Sequence, residues 1–146
     1  MEDLHRAART ISLLARMLER AAGDLTLAQY RVLALVSAGD ERASRLAGRL
    51  AITKPSVSAV VDGLVERGYL AREAVEGDRR AVRLCLTPTG SDALMTAETA
   101  MADRLEPLVD SIESRAAFVQ SLDQIDTQLK ARFKNQTTTT TTEPTQ

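Results

Sequence analysis

The sequence, 146 residues long, predicts a mainly helical α+β protein that contains one small β-hairpin. Three observations support this prediction. Apolar residues recur at steps of three and four through most of the chain, which is the period of a helix. One short stretch near the middle, residues 81–87, alternates between apolar and polar instead, as a strand does. Only four residues are aromatic, so aliphatic helix packing has to supply most of the core.

The first helix is predicted over about residues 4–22. Its apolar residues form a narrow seam, as in helices that pair with another helix. Packing inside the monomer could use the same surface, so both arrangements remain open. The seam consists of Leu4, Ala7, Ile11, Leu14, Leu18 and Ala21.

A second helix is predicted to begin after Thr26. Thr26 and Gln29 match a capping box, in which each side chain bonds to the backbone of the other residue. Gly39 is well placed to end this helix. The residues predicted to be buried are Leu27, Tyr30, Leu33, Ala34 and Val36.

Two further short helices follow with a tight connection, which is the helix-turn-helix arrangement. The first covers residues 43–52, with Leu46, Ala47 and Leu50 on one face. The second begins at Thr53, a suitable N-cap, and Pro55 lies in its first turn, where a missing N–H removes no helical bond. Because a helix N-terminus favours anions, a first turn made of Thr, Lys and Ser suits a DNA backbone and the base edges beside it. The apolar back of this candidate recognition helix carries Val57, Val60, Val61, Leu64 and Val65.

A pair of strands is predicted next, over residues 69–75 and 81–87, with residues 76–80 as the connecting loop. A helix-turn-helix followed by a hairpin is a winged helix, in which the hairpin is called the wing. The second strand places Val82, Leu84 and Leu86 on one face and Arg83, Cys85 and Thr87 on the other.

The rest of the chain predicts two more helices. Thr87 and Pro88 fit the N-cap and first position of a helix that extends towards Ile112, and Pro107 is expected to kink or break it near its end. A last helix is predicted over about residues 114–134. Residues 135–146, which include six consecutive Thr, have no periodicity and are predicted to be a disordered tail.

The charge is unevenly distributed along the chain. The net charge is -1, yet residues 42–83 carry nine basic and five acidic side chains and have a net charge of +4. The remainder therefore has a net charge of -5. This asymmetry is typical of a DNA-binding lobe on an acidic scaffold.

Several classes of protein are excluded by what the sequence lacks. A single Cys excludes an intrachain disulfide framework, and the first residues lack the apolar core of a signal peptide. No apolar stretch is long enough to span a bilayer, so we expect a cytoplasmic protein without membrane association. One His, one Cys and no Gly-rich phosphate loop predict no enzymatic site, no cofactor and no metal site.

Several segments resemble the MarR family of bacterial transcriptional regulators, over about residues 4–134. The most specific are Asp78-x-Arg80 and Leu86-Thr87-x-x-Gly90, at the family's usual spacing. Leu46-Ala47, residues 53–58 and residues 64–70 also match. The sequence departs from the family at Ala51, where Gly is frequent, and at Ala59 and Gly63, where a basic or long polar residue is frequent. Sequence reading would therefore depend more on Lys54, Ser56 and Ser58.

The resemblance implies a single domain at 1–134, with a winged-helix DNA-binding lobe at about 27–87 between dimerisation helices at 1–26 and 88–134. It implies a homodimeric repressor of pseudo-palindromic operators, relieved by a small apolar or phenolic effector that binds between the helices and the lobe. In the wing it implies that Arg80 enters the minor groove and that Asp78 braces it. The candidate contacts to double-stranded DNA are Ser44, Thr53, Lys54, Pro55, Ser56, Ser58, Asp78, Arg79 and Arg80.

Two alternatives remain open. Cys85 could make the protein a thiol-redox regulator, because Arg83 lies two residues away on the same strand face and would favour a thiolate. A winged-helix protein-interaction module without DNA binding would also fit a net charge near zero. The operator, the regulated genes, the effector and the choice between repression and activation do not follow from the sequence.

Overall fold

A computed structural model of the protein describes residues 1–39, 42–50 and 52–139, without the side chains of Ser44, residues 78–81 and residues 133–139. Within these ranges the chain is mostly helical with one antiparallel hairpin, which confirms the predicted fold class. The helices are α1 (Glu2–Ala21), α2 (Leu27–Ser37), α3 (Ala43–Leu50), α4 (Lys54–Glu66), α5 (Pro88–Asp110) and α6 (Arg115–Thr139). The strands are β1 (Leu70–Val75) and β2 (Asp78–Leu86).

Threonine caps start three of the helices at the predicted positions. The Thr26 hydroxyl accepts a hydrogen bond from the Gln29 amide, and the Gln29 side chain accepts one from the Thr26 amide, so the capping box is confirmed. The Thr53 hydroxyl accepts from the Ser56 amide to cap α4, and the Thr87 hydroxyl accepts from the Gly90 amide to cap α5. Each cap satisfies an amide that a helix start leaves without an internal partner.

The core lies in the predicted winged-helix lobe and the first half of α5. Leu33 of α2, Leu46 of α3 and Leu64 of α4 are completely buried, and Leu70 and Leu84 bring the base of the hairpin against them. By contrast, α1 contains no buried residue, and every described side chain of α6 retains exposure to solvent. The terminal helices therefore add little to this core.

The hairpin is tighter than predicted. β2 begins at Asp78, so the turn consists of Glu76 and Gly77, and the predicted loop over 76–80 is wrong. Gly77 has φ +85°, a conformation that two-residue hairpin turns require and that Gly adopts without strain. The register shifts between Ala74, which pairs with Val82, and Val75, which pairs with Asp78, so residues 79–81 form a bulge in β2.

The later helices also differ from the predicted bounds. α5 continues through Pro107 to Asp110, so the helix does not break there, and the alternative of a kink stays a prediction. Pro removes one donor, and only one short turn of helix follows it, which limits the cost. α6 extends to Thr139, so residues 135–139 are helical and the predicted tail boundary at 134 falls inside a helix. Residues 140–146 lie outside the described residues, and their disorder stays a prediction.

Across the described ranges, every helix is too short or too polar to cross a membrane.

Candidate nucleic-acid interface

The first turn of α4 is exposed, whereas the opposite side of the helix is buried. Val57, Val61 and Leu64 pack into the core with almost no exposed surface. The candidate DNA contacts at the start of this helix are all exposed to solvent, as predicted; they are Thr53, Lys54, Pro55, Ser56 and Ser58. The structure thus brings these five residues together at one end of a firmly packed helix.

Hydrogen bonds fix the geometry of this first turn. The Thr53 hydroxyl accepts from the Ser56 amide at 3.3 Å and lies 2.8 Å from the Ser56 hydroxyl. The Val57 amide donates to the Thr53 carbonyl at 3.0 Å. Thr53 therefore serves mainly as the N-cap of α4. Lys54 adds a positive charge beside the positive end of the helix dipole.

The two strands of the hairpin are joined across their outer face by an ion pair. Arg83 donates from Nε and from a terminal nitrogen to one oxygen of Glu73, at 3.0 and 2.7 Å, and the two residues are directly opposite in the register. These bonds, a hydrogen bond from the Cys85 thiol and the charge of Arg83 hold the pKa of Glu73 below its ordinary value. Both members are about half exposed, so this pair orders the hairpin more than it stabilises the fold.

A second ion pair connects the hairpin to α4. A terminal nitrogen of Arg72 in β1 donates to a carboxylate oxygen of Asp62. At the end of α4, Arg67 donates to the Asp24 carbonyl at 3.1 Å, and its guanidinium carbon lies 4.6 Å from the centre of the Tyr69 ring. The helix is thus tied to the hairpin on one side and to the α1–α2 connection on the other.

The base of the wing is fastened to α5 through Thr87. Its hydroxyl donates to the Gly68 carbonyl at 2.6 Å and accepts from the Gly90 amide at 2.9 Å. Its own amide donates to the Tyr69 carbonyl at 3.1 Å. The Leu-Thr-x-x-Gly motif therefore has a structural role, holding the end of β2 and the start of α5 against the α4–β1 connection.

The remaining predicted contacts can be placed only by their backbone. Ser44 lies in the first turn of α3, and Asp78, Arg79 and Arg80 begin β2 next to the hairpin turn. Their side chains lie outside the described residues, so the predicted brace of Arg80 by Asp78 stays a prediction.

Sequence reasoning missed both of the ion pairs that organise this surface. The pair of Glu73 and Arg83 could have been predicted from the sequence. In a hairpin with strands 69–75 and 81–87 and a loop at 76–80, these two residues lie opposite each other. No pattern in the sequence predicts the pair of Asp62 and Arg72, since it depends on how α4 packs against β1. Among the described residues, no group of three or more His, Cys, Asp or Glu could hold a metal ion.

Comparisons with known proteins agree with this geometry. A model of the MarR family matches residues 23–81, which span α2 to the start of β2. The transcriptional regulator BldR from Sulfolobus solfataricus has a similar fold, with a TM-score of 0.73 at 21% identity over 87% of this chain and 94% of that one. No curated protein sequence matches this chain significantly.

A DNA complex and a ligand complex are among the similar structures. The transcriptional repressor CouR bound to a 23-mer DNA duplex is 28% identical, with a TM-score of 0.71 over 84% of this chain and 88% of that one. CouR from Rhodococcus jostii RHA1 bound to p-coumaroyl-CoA gives a TM-score of 0.70 at 20% identity, over 84% and 87%. MarR-family regulators are DNA-binding transcription factors and not enzymes. The helix-turn-helix and the wing agree with the family match, so residues 23–81 resemble the MarR family of winged helix-turn-helix transcriptional regulators, and the chain shares the fold of the solved regulators.

Proposed function

We propose that this protein is a homodimeric, sequence-specific repressor that binds a pseudo-palindromic operator and releases it when a small ligand binds. The observation that carries the proposal is α4, which presents an ordered, polar first turn to solvent beside a charged hairpin while its other side is buried. Such a helix can enter the major groove as a rigid body. The excess of positive charge over residues 42–83 would supply the contacts to phosphates.

Each candidate residue has a role in this proposal. Lys54, Ser56 and Ser58 contact base edges or phosphates in the major groove, with Thr53 and Pro55 shaping the turn and Ser44 contributing from α3. Arg79 and Arg80 make the wing contacts, Arg80 in the minor groove, and Asp78 orients Arg80. CouR, a transcriptional repressor with a similar fold, binds a 23-mer DNA duplex, and this protein would repress by occupying promoter DNA. The protein would act in the cytoplasm, where that DNA is.

The homodimer is supported by apolar surface that the described chain leaves exposed. On α1, Leu4 is 69% exposed and Ile11 is 61% exposed, although both belong to the predicted seam. The end of α5 and the length of α6 add a second exposed stripe; its members are Leu108, Ile112, Val119, Leu122, Ile125 and Leu129. Surface of this kind marks an interaction site. A two-fold dimer would place two copies of α4 about 34 to 36 Å apart, matching half-sites about 10 base pairs apart.

Ligand control is supported by a cleft between the lobe and the terminal helices. A cavity of about 220 Å³ lies between α2, α3 and α6. Its lining combines apolar residues such as Leu35, Leu50 and Leu129 with Tyr30 and the charged residues Arg31, Arg49, Asp126 and Lys130. Burial, and secondarily the negative charge of Glu98, raise the pKa of Tyr30 above its ordinary value. A small apolar or phenolic molecule would fit this chemistry. To weaken DNA binding about tenfold, it must favour the incompetent form by about 1.4 kcal/mol.

The redox alternative receives less support from the geometry. The Cys85 thiol hydrogen-bonds to the carboxylate of Glu73, and a neighbouring negative charge opposes the thiolate that redox sensing requires. Arg83 acts in the opposite sense but is itself bound to Glu73. An interaction module without DNA binding would retain its partner when Arg80 is removed, whereas the repressor would lose affinity for DNA.

The proposal can be tested by selecting sites from a random duplex library and measuring binding by fluorescence anisotropy over a salt series. With about 6 to 10 phosphate contacts, log K should fall with log salt at a slope near -0.9 per contact. Arg80→Ala should weaken binding clearly, and Arg6→Ala, the same charge change on α1, should not. Equal, weak binding to selected and scrambled duplexes, unchanged by Arg80→Ala, would refute the proposal.

A further inference from the structure

The hairpin leaves the core partway along its length. Leu70 and Leu84 lie on its inner face and are 2% and 3% exposed, whereas Val82, further out on the same face, is 49% exposed. Residues directly opposite in an antiparallel pair share a face, and Arg72 is opposite Leu84. Arg72 is therefore the inner-face residue at the point where apolar packing ends and the projecting part of the wing begins.

Arg72 uses that position to reach the recognition helix. Its guanidinium donates to the carboxylate of Asp62, which lies on α4 four residues after Ser58. Residues four apart on a helix are neighbours on one face, so Asp62 lies one turn behind a proposed DNA contact. The ion pair thus runs from the DNA-facing side of α4 to the base of the projecting wing.

The projecting wing can transmit this constraint because its strands are themselves joined. Arg83 of β2 binds Glu73 of β1 through two hydrogen bonds on the outer face. A hairpin held in this way moves as one unit about its base. A restraint at Arg72 therefore limits where the hairpin lies relative to Lys54, and with it the start of β2 that carries Arg79 and Arg80 beyond the register shift.

We propose that Asp62 and Arg72 are positioning residues for DNA recognition, whose ion pair sets the angle between the recognition helix and the wing. This inference rests on the proposed function, because it concerns the same DNA-binding surface. Both side chains are about half exposed or more, and such pairs contribute little to folding. The pair can therefore orient the wing without being needed for folding, and its removal should leave the fold intact.

Single variants can distinguish an effect on the wing angle from a simple effect of net charge on DNA affinity. Asp62→Asn removes a negative charge near DNA and by charge alone should strengthen binding to every duplex. If the pair sets the wing angle, the same variant should instead lower the ratio of affinities for selected and scrambled duplexes. Arg72→Gln should lower that ratio too, by about tenfold. The exchange Asp62→Arg with Arg72→Asp keeps the net charge, can re-form the pair and should recover most of the ratio.

The wing angle can also be measured without DNA. Spin labels at Glu66→Cys in α4 and Glu76→Cys in the hairpin turn, both exposed positions, with Cys85→Ser to remove the native thiol, report the distance between the two elements. A narrow distance distribution is expected for the otherwise native protein, a broad one for Arg72→Gln and a narrow one again for the exchange. Arg6→Gln, which removes the exposed pair with Asp3 on α1, is the matched control and should change neither readout.

The two readouts distinguish failure of the inference from failure of the proposed function. If Arg72→Gln leaves the distance distribution narrow, or if the exchange restores neither narrowness nor specificity, the positioning role is overturned. If the distances change as expected but the wild type prefers no duplex, the proposed function fails while the pair is still shown to orient the wing. Unchanged melting temperatures in all variants would confirm that the effect is not a loss of fold.

Discussion

A Cβ atom added at Gly90 would lie 2.0 Å from the carbonyl oxygen of Tyr69. The first turn of α5 therefore touches the backbone that leads into β1, and only a residue without a side chain fits between them. Thr87 seals the same junction through its bonds to Gly68 and Gly90. The orientation of the wing base relative to the long helix α5 is set by this backbone contact.

Gly90→Ala should destabilise the protein by at least about 1 to 3 kcal/mol, because the obstructing atoms are backbone atoms and cannot turn aside. Gly63→Ala is the matched control, since its Cβ would lie 4.0 Å from the Gln29 side chain, an ordinary contact. Alanine is the better helix former, so Gly63→Ala should stabilise by up to about 1 kcal/mol. Urea unfolding should give opposite signs for the two variants, and a common sign would contradict this account of the junction.

Thr87→Ala should cost about 0.5 to 2 kcal/mol, since it removes the cap of α5. It also leaves the Gly68 carbonyl without the hydroxyl that donates to it. Thr87→Ser keeps the hydroxyl and should recover most of the loss in thermal or urea unfolding. Equal losses for Ala and Ser would mean that the methyl group, and not the cap, matters at this position.

Tyr30 should make the protein sensitive to alkaline pH. Its pKa is raised in the folded state from the ordinary value of 10.0, mainly by burial and also by Glu98. The folded state then retains a proton that the unfolded state loses, so the free energy of unfolding is unaffected below about pH 10 and falls as pH rises through the folded pKa. In Tyr30→Phe this part of the fall should disappear from urea unfolding curves across that range. An identical alkaline loss in both proteins would contradict the assignment.

The exposed stripe on α6 should behave as a dimer contact. Ile125→Glu should weaken dimerisation by about tenfold or more, because a charge would be buried without a partner. Val82→Glu, at a residue of similar exposure on the hairpin, should leave dimerisation unchanged. Sedimentation equilibrium measures both. A wild type that stays monomeric at the highest concentration tested would remove the basis for paired recognition helices.

The features that were predicted best from the sequence are those that depend on residues close together in the chain. The caps at Thr26, Thr53 and Thr87 are recognisable because cap and capped amide lie within three residues of each other. The hairpin turn was misjudged because Asp78, Arg79 and Arg80 read as loop, whereas Asp78 still pairs with Val75 beyond a bulge in β2. The MarR resemblance agrees with the family model that matches residues 23–81 and with the fold of the similar solved structures.

Relations between distant segments could not be predicted. Asp62 and Arg72 are ordinary charged residues in the sequence, and they pair only because α4 packs beside β1. The contact of Gly90 with Tyr69 likewise requires two segments to meet, although the motif resemblance already marked Gly90 as special. For Pro107, the local rule predicted a kink or a break; the helix does not break, and it continues only to Asp110.

The central claim is that the exposed first turn of α4 reads DNA sequence. The most direct test is the ratio of affinities for selected and scrambled duplexes in the double variant Ser56→Ala, Ser58→Ala. Anisotropy with selected and scrambled duplexes would be measured beside the wild type and beside Ser121→Ala with Ser91→Ala, which remove hydroxyls outside the lobe. The account predicts a wild-type preference of about 10³ or more, reduced at least about tenfold by the α4 variant and unchanged by the control. An α4 variant that keeps the full preference would contradict the claim.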